Sequence, residues 1–423
     1  MNIGIIGGGA SGMILASKLK NKNVTLIERN NKLGKKLLLT GNGKCNYTNL
    51  NFNDLSKIYN NDFAGNLYKK YDNRSFIDYF KELGIVPKVE THKGIDYIYP
   101  NSNKSTSVYY CLLDRIMNNG VNIIYDSEVT DINYSNNKFK VIINENKELE
   151  FNKIVLSTGG KSYKNTGSDS SGHKLAKKLG HKVVDLLPGL TALKFTIDEK
   201  DTLKFDGKCR VNANVSYQST IDNCKYEEFG EIQFSDDSIS GIPILNLSNK
   251  IVRDLVKKSP IKVSIDFSDC LLNDIDNKDK VILDESAKVK VVKDLLFKRK
   301  EDTNYRKTLD FLCGYLPDEV NDILLKVTGI SNKSLESLNE SDFEKLAKSI
   351  VSFTVYINQL PSFDNAQITL GGIDVNEIDL KTLESKIVKG LYFIGEIINI
   401  DGICGGYNLQ LAYSTASVVA DNI

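Results

Sequence analysis

Hydrophobic positions fall into two rhythms along this chain. Asn2–Ile6 is a short apolar run, followed by a glycine cluster, a helical pattern from about Ser11 to Lys20 and a second apolar run at Val24–Ile27. Apolar runs flanking a helix over so short a distance predict buried parallel strands, the opening of an α/β domain. Residues 121–143 read as three strand segments, with Ser135-Asn136-Asn137 as a turn between the last two. Ile154–Ser157 predicts a short buried strand ending at Thr158-Gly159-Gly160, and a helix follows from about Gly172 to Leu179, closed by Gly180. Beyond Pro188-Gly189 the rhythm becomes alternating over residues 191–270, the pattern of antiparallel strands. Residues 275–350 turn helical, with Val289, Val292, Leu295 and Leu296 at helical spacing. Ile350–Ile357 predicts a returning strand, Ala366 starts another strand-like stretch, Leu391–Ile394 a buried strand and Asn408–Asn422 a closing helix. The Asn/Lys-rich stretch 49–75 reads as solvated surface.

Composition narrows the class without choosing a function. The chain has 423 residues, 41% of them apolar and 26% charged, and a net charge of +1. Two or three soluble domains are expected, with no bulk charge to draw nucleic acid or an anionic membrane. No segment has the 18 or so unbroken apolar residues of a membrane helix. The apolar stretch Ile3–Ala16 lacks a basic flank and is interrupted by glycines, so it does not read as a signal peptide. The seven cysteines are scattered and none is spaced as CxxC, which points to neither a zinc site nor a disulfide framework. A reducing, cytoplasmic setting is expected. No repeat is present, and the sequence carries no signal for oligomeric state.

The sharpest motif is Gly7-Gly8-Gly9-Ala10-Ser11-Gly12, a GxGxxG between a predicted strand and a predicted helix. In such a turn Gly7 permits the tight bend, Gly9 lets backbone approach a pyrophosphate, and Gly12 lets the helix pack on the strand. The helix N-terminus then offers free N–H groups and a positive dipole to the phosphates. Glu28 closes the second strand, where a carboxylate can accept hydrogen bonds from both ribose hydroxyls and would repel a 2′-phosphate. The resident dinucleotide is therefore expected to be FAD or NAD rather than NADP. Further glycine-bearing turns occur at Thr40–Asn46, at Thr158–Gly160, at Gly395-Glu396 and at Asp401–Asn408. Several such turns returning to one site suit a long ligand such as FAD.

These segments carry a resemblance. TGNGKCNYTN (40–49), TGGKSYKNTGSDSSGHKLAKKLGH (158–181), GEIQFSDDSISGIPIL (230–245), AQITLGGIDVNEIDLKTLESKIVKGLYFIGE (366–396) and DGICGGYNLQLAYSTA (401–416) span essentially the whole chain in one order. The chain resembles the BaiN/YhiN-type NAD(P)/FAD-dependent oxidoreductases, also called the aminoacetone-oxidase family. The resemblance implies an α/β fold in which a Rossmann-like FAD-binding domain is built from both chain ends, 1–190 and 358–423. An inserted β-rich domain would cover 191–274 and 345–357, and a small helical subdomain 275–344. The cofactor-contacting set it implies is Gly7, Gly9, Ala10, Ser11, Gly12, Glu28, Arg29, Gly41, Asn42, Gly43, Lys44, Cys45, Asn46, Val129, Thr158, Gly159, Gly160, Gly395, Glu396, Asp401, Gly405, Gly406, Tyr407 and Asn408. Where many members carry Thr-His after GE-x-x-F, this chain has Ser235-Asp236, so no role of that histidine transfers. Where relatives often carry an acidic residue, this chain has Asn399.

The expected activity is that of an FAD-dependent oxidoreductase on a small organic substrate. No second GxGxxG is present, so NAD(P)H would dock transiently to reduce the flavin, which would then reduce an activated double bond. The alternatives are an oxidase that passes electrons from an amine-type substrate to dioxygen, and a non-catalytic FAD module acting as a redox or partner protein. An RNA-modifying flavoprotein is disfavoured by the near-zero charge, the lysines and arginine of 288–300 reading as a solvated helix face. No catalytic residue and no metal ligand is singled out. Cys45 and Cys404 read as packed thiols more readily than as a redox pair. Lys161 and Tyr163 are candidates to line the cofactor or the substrate entrance, and Tyr407 reads as a packing residue with its hydroxyl satisfied. The three histidines, His92, His173 and His181, read as surface or capping residues.

Overall fold

A computed structural model describes residues 1–92, 94–198, 202–272, 284–302 and 311–423. They divide into two units, Met1–Pro188 with Ser362–Ile423, and Gly189–Pro361. The first unit is built on β1 (Asn2–Ile6), α1 (Ala10–Lys18), β2 (Asn23–Ile27), β3 (Asn122–Ile124), β4 (Lys153–Leu156), α2 (Ser171–Lys178), β5 (Leu391–Phe393) and α3 (Tyr407–Asn422). Its five strands form a parallel sheet in the order β5-β4-β1-β2-β3. Ile3, Ile5 and Ile6 of β1 and Ile154, Val155 and Leu156 of β4 are all buried, as expected of strands covered on both faces. The apolar runs read from the sequence are these strands.

The two faces are covered differently. Helices α1 and α3 pack together, and α3 is buried nearly all round, through Leu411, Ala412, Tyr413, Ala416, Val418 and Val419. An antiparallel meander of Val129–Ser135, Lys138–Ile143 and Lys147–Phe151 brings the Phe151 ring against β1, where a Cβ on Gly4 would lie 3.0 Å from it. Asn136 and Asn137, both left-handed with φ of 51° and 58°, make the tight turn that the sequence predicts.

The second unit carries a six-stranded antiparallel sheet, ordered Leu193–Lys194, Ser238–Ser240, Lys225–Ser235, Cys209–Gln218, Ile261–Asp266 and Phe353–Ile357. Helices Glu285–Asp302, Asp318–Thr328 and Glu340–Val351 accompany it. Within the expected helical stretch, residues 275–283 and 303–310 lie outside the described residues. No helix among the described residues is long and apolar enough to cross a membrane.

Four expectations need correction. The stretch 49–75 is not merely solvated: Ile58, Tyr59, Phe63, Ala64 and Leu67 are buried. Its asparagines are hydrogen-bonding devices, Asn49 Nδ2 donating to Gly405 O (2.6 Å) and Asn73 Nδ2 to Asn49 O (2.8 Å). The strand expected from Ile350 begins at Phe353, because the helix started by a capping box at Asn339 and Asp342 runs through Val351. The basic run of 288–300 is not simply solvated either. Lys288 pairs with Asp266 (2.6 Å), Lys293 with Glu340 (3.2 Å), Arg299 donates to Phe311 O (2.5 Å) and Lys300 to Leu338 O (3.1 Å).

Two histidines read as surface groups are buried. His181 lies between Glu377 (Nδ1 to Oε2, 3.1 Å) and Ser385 (Nε2 to Oγ, 2.8 Å), with its ring edge-on to Phe393. His173 Nε2 donates to Ile397 O (3.1 Å). Burial pushes both pKa values down, His173 to about 4, and at His181 it outweighs the attraction of Glu377. The fold thus favours neutral rings. The contribution of His173 is complete above the unfolded pKa of about 6.5 and is lost as the pH falls through 4, and that of His181 is lost in the same direction. The expected outcome is about 3 kcal/mol less unfolding free energy at pH 4 than at pH 7 from His173 alone. Denaturant titration of wild type and His173→Gln across that range checks it, the variant showing the shallower loss.

Candidate functional site

The site is set by where the parallel strands end. From β1 the chain leaves one way to β2 and reaches β4 on the other side, so a crevice opens beyond the carboxyl ends at that reversal. The loop after β1 fills its floor. Gly7 has φ +103°, and a Cβ there would stand 2.7 Å from Ser157 O. A Cβ on Gly12 would overlap the carbonyl oxygen of Gly7. Both glycines are thus required by the chain's contact with itself. Gly9 is different: a Cβ would meet nothing nearer than Ser157 O at 4.0 Å. The protein leaves open space there, where a glycine admits a ligand to the backbone. Ala10 and Ser11 form the first turn of α1, whose N-terminus faces this opening.

Glu28 ends β2 with its carboxylate fixed from two sides. Oε2 accepts from Gly8 N (2.8 Å), and Oε1 accepts from Asn30 N (2.9 Å) and Asn30 Nδ2 (2.6 Å). Each oxygen can accept more than one hydrogen bond, so this geometry remains able to take ribose hydroxyls. Arg29 faces protein groups: Glu128 (2.8 Å), Asp169 (2.5 Å) and Gly167 O (3.4 Å). Its guanidinium pKa is raised because the hydrogen bonds and charges of Asp169 and Glu128 outweigh the effect of burial. Val129 is placed by the meander strand it begins, paired with Ile143, and its side chain is buried there.

The turns after β4 and β5 meet the same crevice. Ser157 Oγ donates to Gly7 O (2.7 Å). Gly159 has φ +71°, and Gly160 lies so close to Thr369 that a Cβ would overlap its hydroxyl. The Thr158 hydroxyl is buried without a hydrogen-bond partner. Gly395 N donates to Thr415 Oγ1 of α3 (3.0 Å), and a Cβ on Gly395 would stand 2.5 Å from Ser11 Oγ. Glu396 is engaged at both oxygens, by Lys36 (2.7 Å) and by Thr369 N (2.7 Å).

A second group of predicted residues gathers at the start of α3. Gly41, Asn42, Gly43 and Cys45 are all left-handed, with φ of 55°, 52°, 80° and 61°. Gly406, the residue before α3, packs on this loop, a Cβ there falling 2.9 Å from Asn46 Oδ1 and from Thr48 N. Lys44 is exposed. Asp401 is buried, its N–H donating to Asn60 Oδ1 (2.9 Å). Tyr407 donates its hydroxyl to Asn51 O (2.8 Å), which bears out its packing role. Asn408 closes its own loop, accepting from Gly402 N (2.9 Å) and donating to Gly402 O (3.0 Å). Gly405 has φ +129°, with its carbonyl held by Asn49. Cys45 is fully buried, its thiol pushed up to about 12 by burial, and no disulfide joins it to Cys404. A thiol so disfavoured as thiolate suits packing, not electron exchange.

Sequence reasoning missed the residues that hold the site in shape. Asn30 and Lys36 lie outside every motif, whereas Ser162 and Thr369 lie within the segments 158–181 and 366–396, where the sequence assigns them no role. The sequence signal for Asn30 and Lys36 is their position two and eight residues after Glu28. Elsewhere, within the second unit, a hollow of about 240 Å³ lies over Phe195 and Phe205 beside the Lys194–Asp237 pair. It falls below the usual size of a ligand pocket.

Comparison with known proteins fixes the lineage of this arrangement. The model of the HI0933-like protein Rossmann domain matches residues 1–422. The chain belongs to the HI0933-like family. The resemblance read from the motifs and the α/β architecture both stand on that match. The chain is 32% identical over 420 residues to the 3-dehydro-bile acid delta(4,6)-reductase of Clostridium scindens, covering 98% of this chain and 96% of that protein. It is 27% identical over 423 residues to the ribosomal RNA dihydrouridine synthase of Escherichia coli, covering 99% and 97%. Among solved structures, the open conformation of a flavocytochrome c3 fumarate reductase covers 99% of this chain and 78% of its own, at 14% identity and a TM-score of 0.48.

The geometry separates Gly12, which the chain's own packing requires, from Gly9, which stands in open space. Gly12→Val is expected to fold poorly, because its side chain must displace Gly7 O. Gly9→Val is expected to keep the wild-type melting temperature and lose dinucleotide binding. Melting curves with and without added FAD read both outcomes.

Proposed function

We propose that this HI0933-like protein is an FAD-dependent reductase of a carbon–carbon double bond conjugated to a carbonyl group. The cofactor reading rests on Gly9, the position of the crevice floor where the protein leaves room for a ligand. The residues present fit an adenine dinucleotide. The first turn of α1 would hold the pyrophosphate through backbone N–H groups, and Glu28 would take the ribose hydroxyls. Thr158–Gly160 and Gly395-Glu396 would lie along the middle of the ligand. The loop 41–46 and the start of α3 at Gly405–Asn408 would flank its flavin end. The N-terminus of α3 would favour negative charge there through its dipole. When bound, FAD supplies hydride-transfer chemistry.

The reductase reading rests on full-length similarity to two differently named relatives. Both names describe the addition of hydrogen across a double bond conjugated to a carbonyl: a 4,6-diene beside a 3-ketone in one, the uracil ring in the other. That shared chemistry is assigned here in preference to the oxidation of an amine. NAD(P)H is the proposed electron donor, docking transiently, since the chain carries no second GxGxxG. A small organic substrate is preferred to RNA, because the basic run of 288–300 is largely committed to internal partners. The similarity to the ribosomal RNA relative supports uracil within RNA as the second reading.

Anaerobic titration of the purified protein with NADH and then NADPH tests this directly. The flavin bands are expected to bleach within about seconds and to recover on adding a conjugated ketone, on the usual turnover scale. Bands that persist with both donors would favour the oxidase or the non-catalytic module. Recovery only with uridine-containing ribosomal RNA would favour the second reading. Absence of flavin bands after reconstitution would refute the cofactor assignment.

A further inference from the structure

Residues 161–169 form a loop whose ends meet, Ser170 N donating to Gly160 O (3.0 Å). Its neck is fixed beside the ends of β4 and β5. Lys161 N and Ser162 N both donate to Thr369 Oγ1 (2.7 and 3.0 Å), and the Ser162 hydroxyl bonds the same oxygen (2.8 Å). Its tip is fixed beyond the end of β2. Asn30 Nδ2 donates to Thr166 O (3.0 Å), and Arg29 pairs with Asp169 (2.5 Å) and reaches Gly167 O (3.4 Å). Gly167 has φ +100°, and a Cβ there would stand 2.5 Å from Asn30 Nδ2, so the tip sits directly on that side chain.

In the sheet order, β1 lies between β4 and β2. Strands are spaced about 4.8 Å apart, so the loop spans roughly 10 Å of the carboxyl edge. Its path from one anchor to the other therefore passes the end of β1, from which the Gly7–Gly12 turn leaves. The same Asn30 amide that holds the tip also holds Glu28 Oε1 (2.6 Å). The group that would read the ribose and the group that anchors the loop are therefore one hydrogen bond apart.

We propose that 161–169 is a strap across the adenosine half of the dinucleotide site, latched by Arg29 and Asn30, and that opening of this latch governs release of the bound dinucleotide. The inference rests on the FAD reading above. Arg29 and Asn30 act here as positioning residues: both hold the strap, and Asn30 also orients Glu28. A strap tied at both ends lets the dinucleotide leave only when the tip lifts, so the cofactor behaves as a resident group and not as an exchanging co-substrate.

The test is the release rate of FAD from the holoprotein, followed as the rise in free-flavin fluorescence after dilution. Arg29→Met and Asn30→Ala are expected to release FAD on the order of tenfold faster than wild type, the effect of losing a charge-assisted hydrogen bond. Asp169→Asn should do the same, with circular dichroism unchanged. Raising NaCl should accelerate wild-type release by weakening the Arg29–Asp169 pair, and Arg29→Met should flatten that dependence. Wild-type rates in Arg29→Met and Asn30→Ala, or slower release, would overturn the latch. Should a variant fail to fold, the salt series on wild type and Asp169→Asn decides: equal slopes overturn the proposal. A wild-type protein that takes up no FAD would instead defeat the cofactor reading itself.

Discussion

The architecture of the crevice depends on how closely the chain passes itself at the end of β1. Gly12 lies on Gly7 O with no room for a Cβ, and Gly7 lies on Ser157 O. These two contacts set α1 against the sheet and bring the turns after β1 and β4 together. Ser157 Oγ, bonded to Gly7 O, ties the two strand ends at the same point. From there the contacts spread outward. Gly395 presses on Ser11 and hangs from Thr415, which joins β5 and α3 to the same floor. The result is a rigid base built from small residues, over which charged side chains are arranged.

Those charged side chains are largely held by partners within the protein. Glu28 is held by Gly8 and Asn30, Arg29 by Asp169 and Glu128, Glu396 by Lys36 and Thr369 N. Partly buried pairs of this kind contribute modestly to stability, because solvent screening and the cost of desolvation offset much of the attraction. Their value lies in geometry. A carboxylate with three fixed donors keeps one orientation, and a loop tied at neck and tip keeps one path. In the proposed reading, recognition of a phosphate would fall to backbone N–H groups at the turn and at α1, which need no charged side chain to be freed.

The residues that show why some features were legible in the sequence share one property: their role is local. Gly7, Gly9 and Gly12 announce a strand–turn–helix because their spacing sits within six residues, even though the contact that requires Gly7, with Ser157 O, does not. Asn136-Asn137 announces its turn, and Leu391–Phe393 announces a buried strand by its apolar run alone. Asn49, Asn60 and Asn73 mislead for the opposite reason. Their composition is that of a solvated segment, while their amides bond backbone groups at Gly405, Asp401 and Asn49. No spacing rule encodes partners that lie 24 residues away for Asn73 and more than 300 away for Asn49 and Asn60. His173 and His181 fail in the same way, since their partners Ile397, Glu377 and Ser385 arrive from the far end of the chain.

Asn30 shows where the two kinds of information join. It stands two residues after Glu28 in the motif region, yet nothing in the GxGxxG logic assigns it a task. In the fold it donates to Glu28, to the carbonyl of Thr166 at the strap's tip, and accepts from Lys35 (3.0 Å). One short amide thereby couples the carboxylate proposed to read the ribose to the loop proposed to cover it. A longer side chain would push the tip away at Gly167, where no Cβ is tolerated, and a shorter one would leave Glu28 oriented by backbone donors alone. The reach of this neutral amide is what would let the crevice be both fixed and closed.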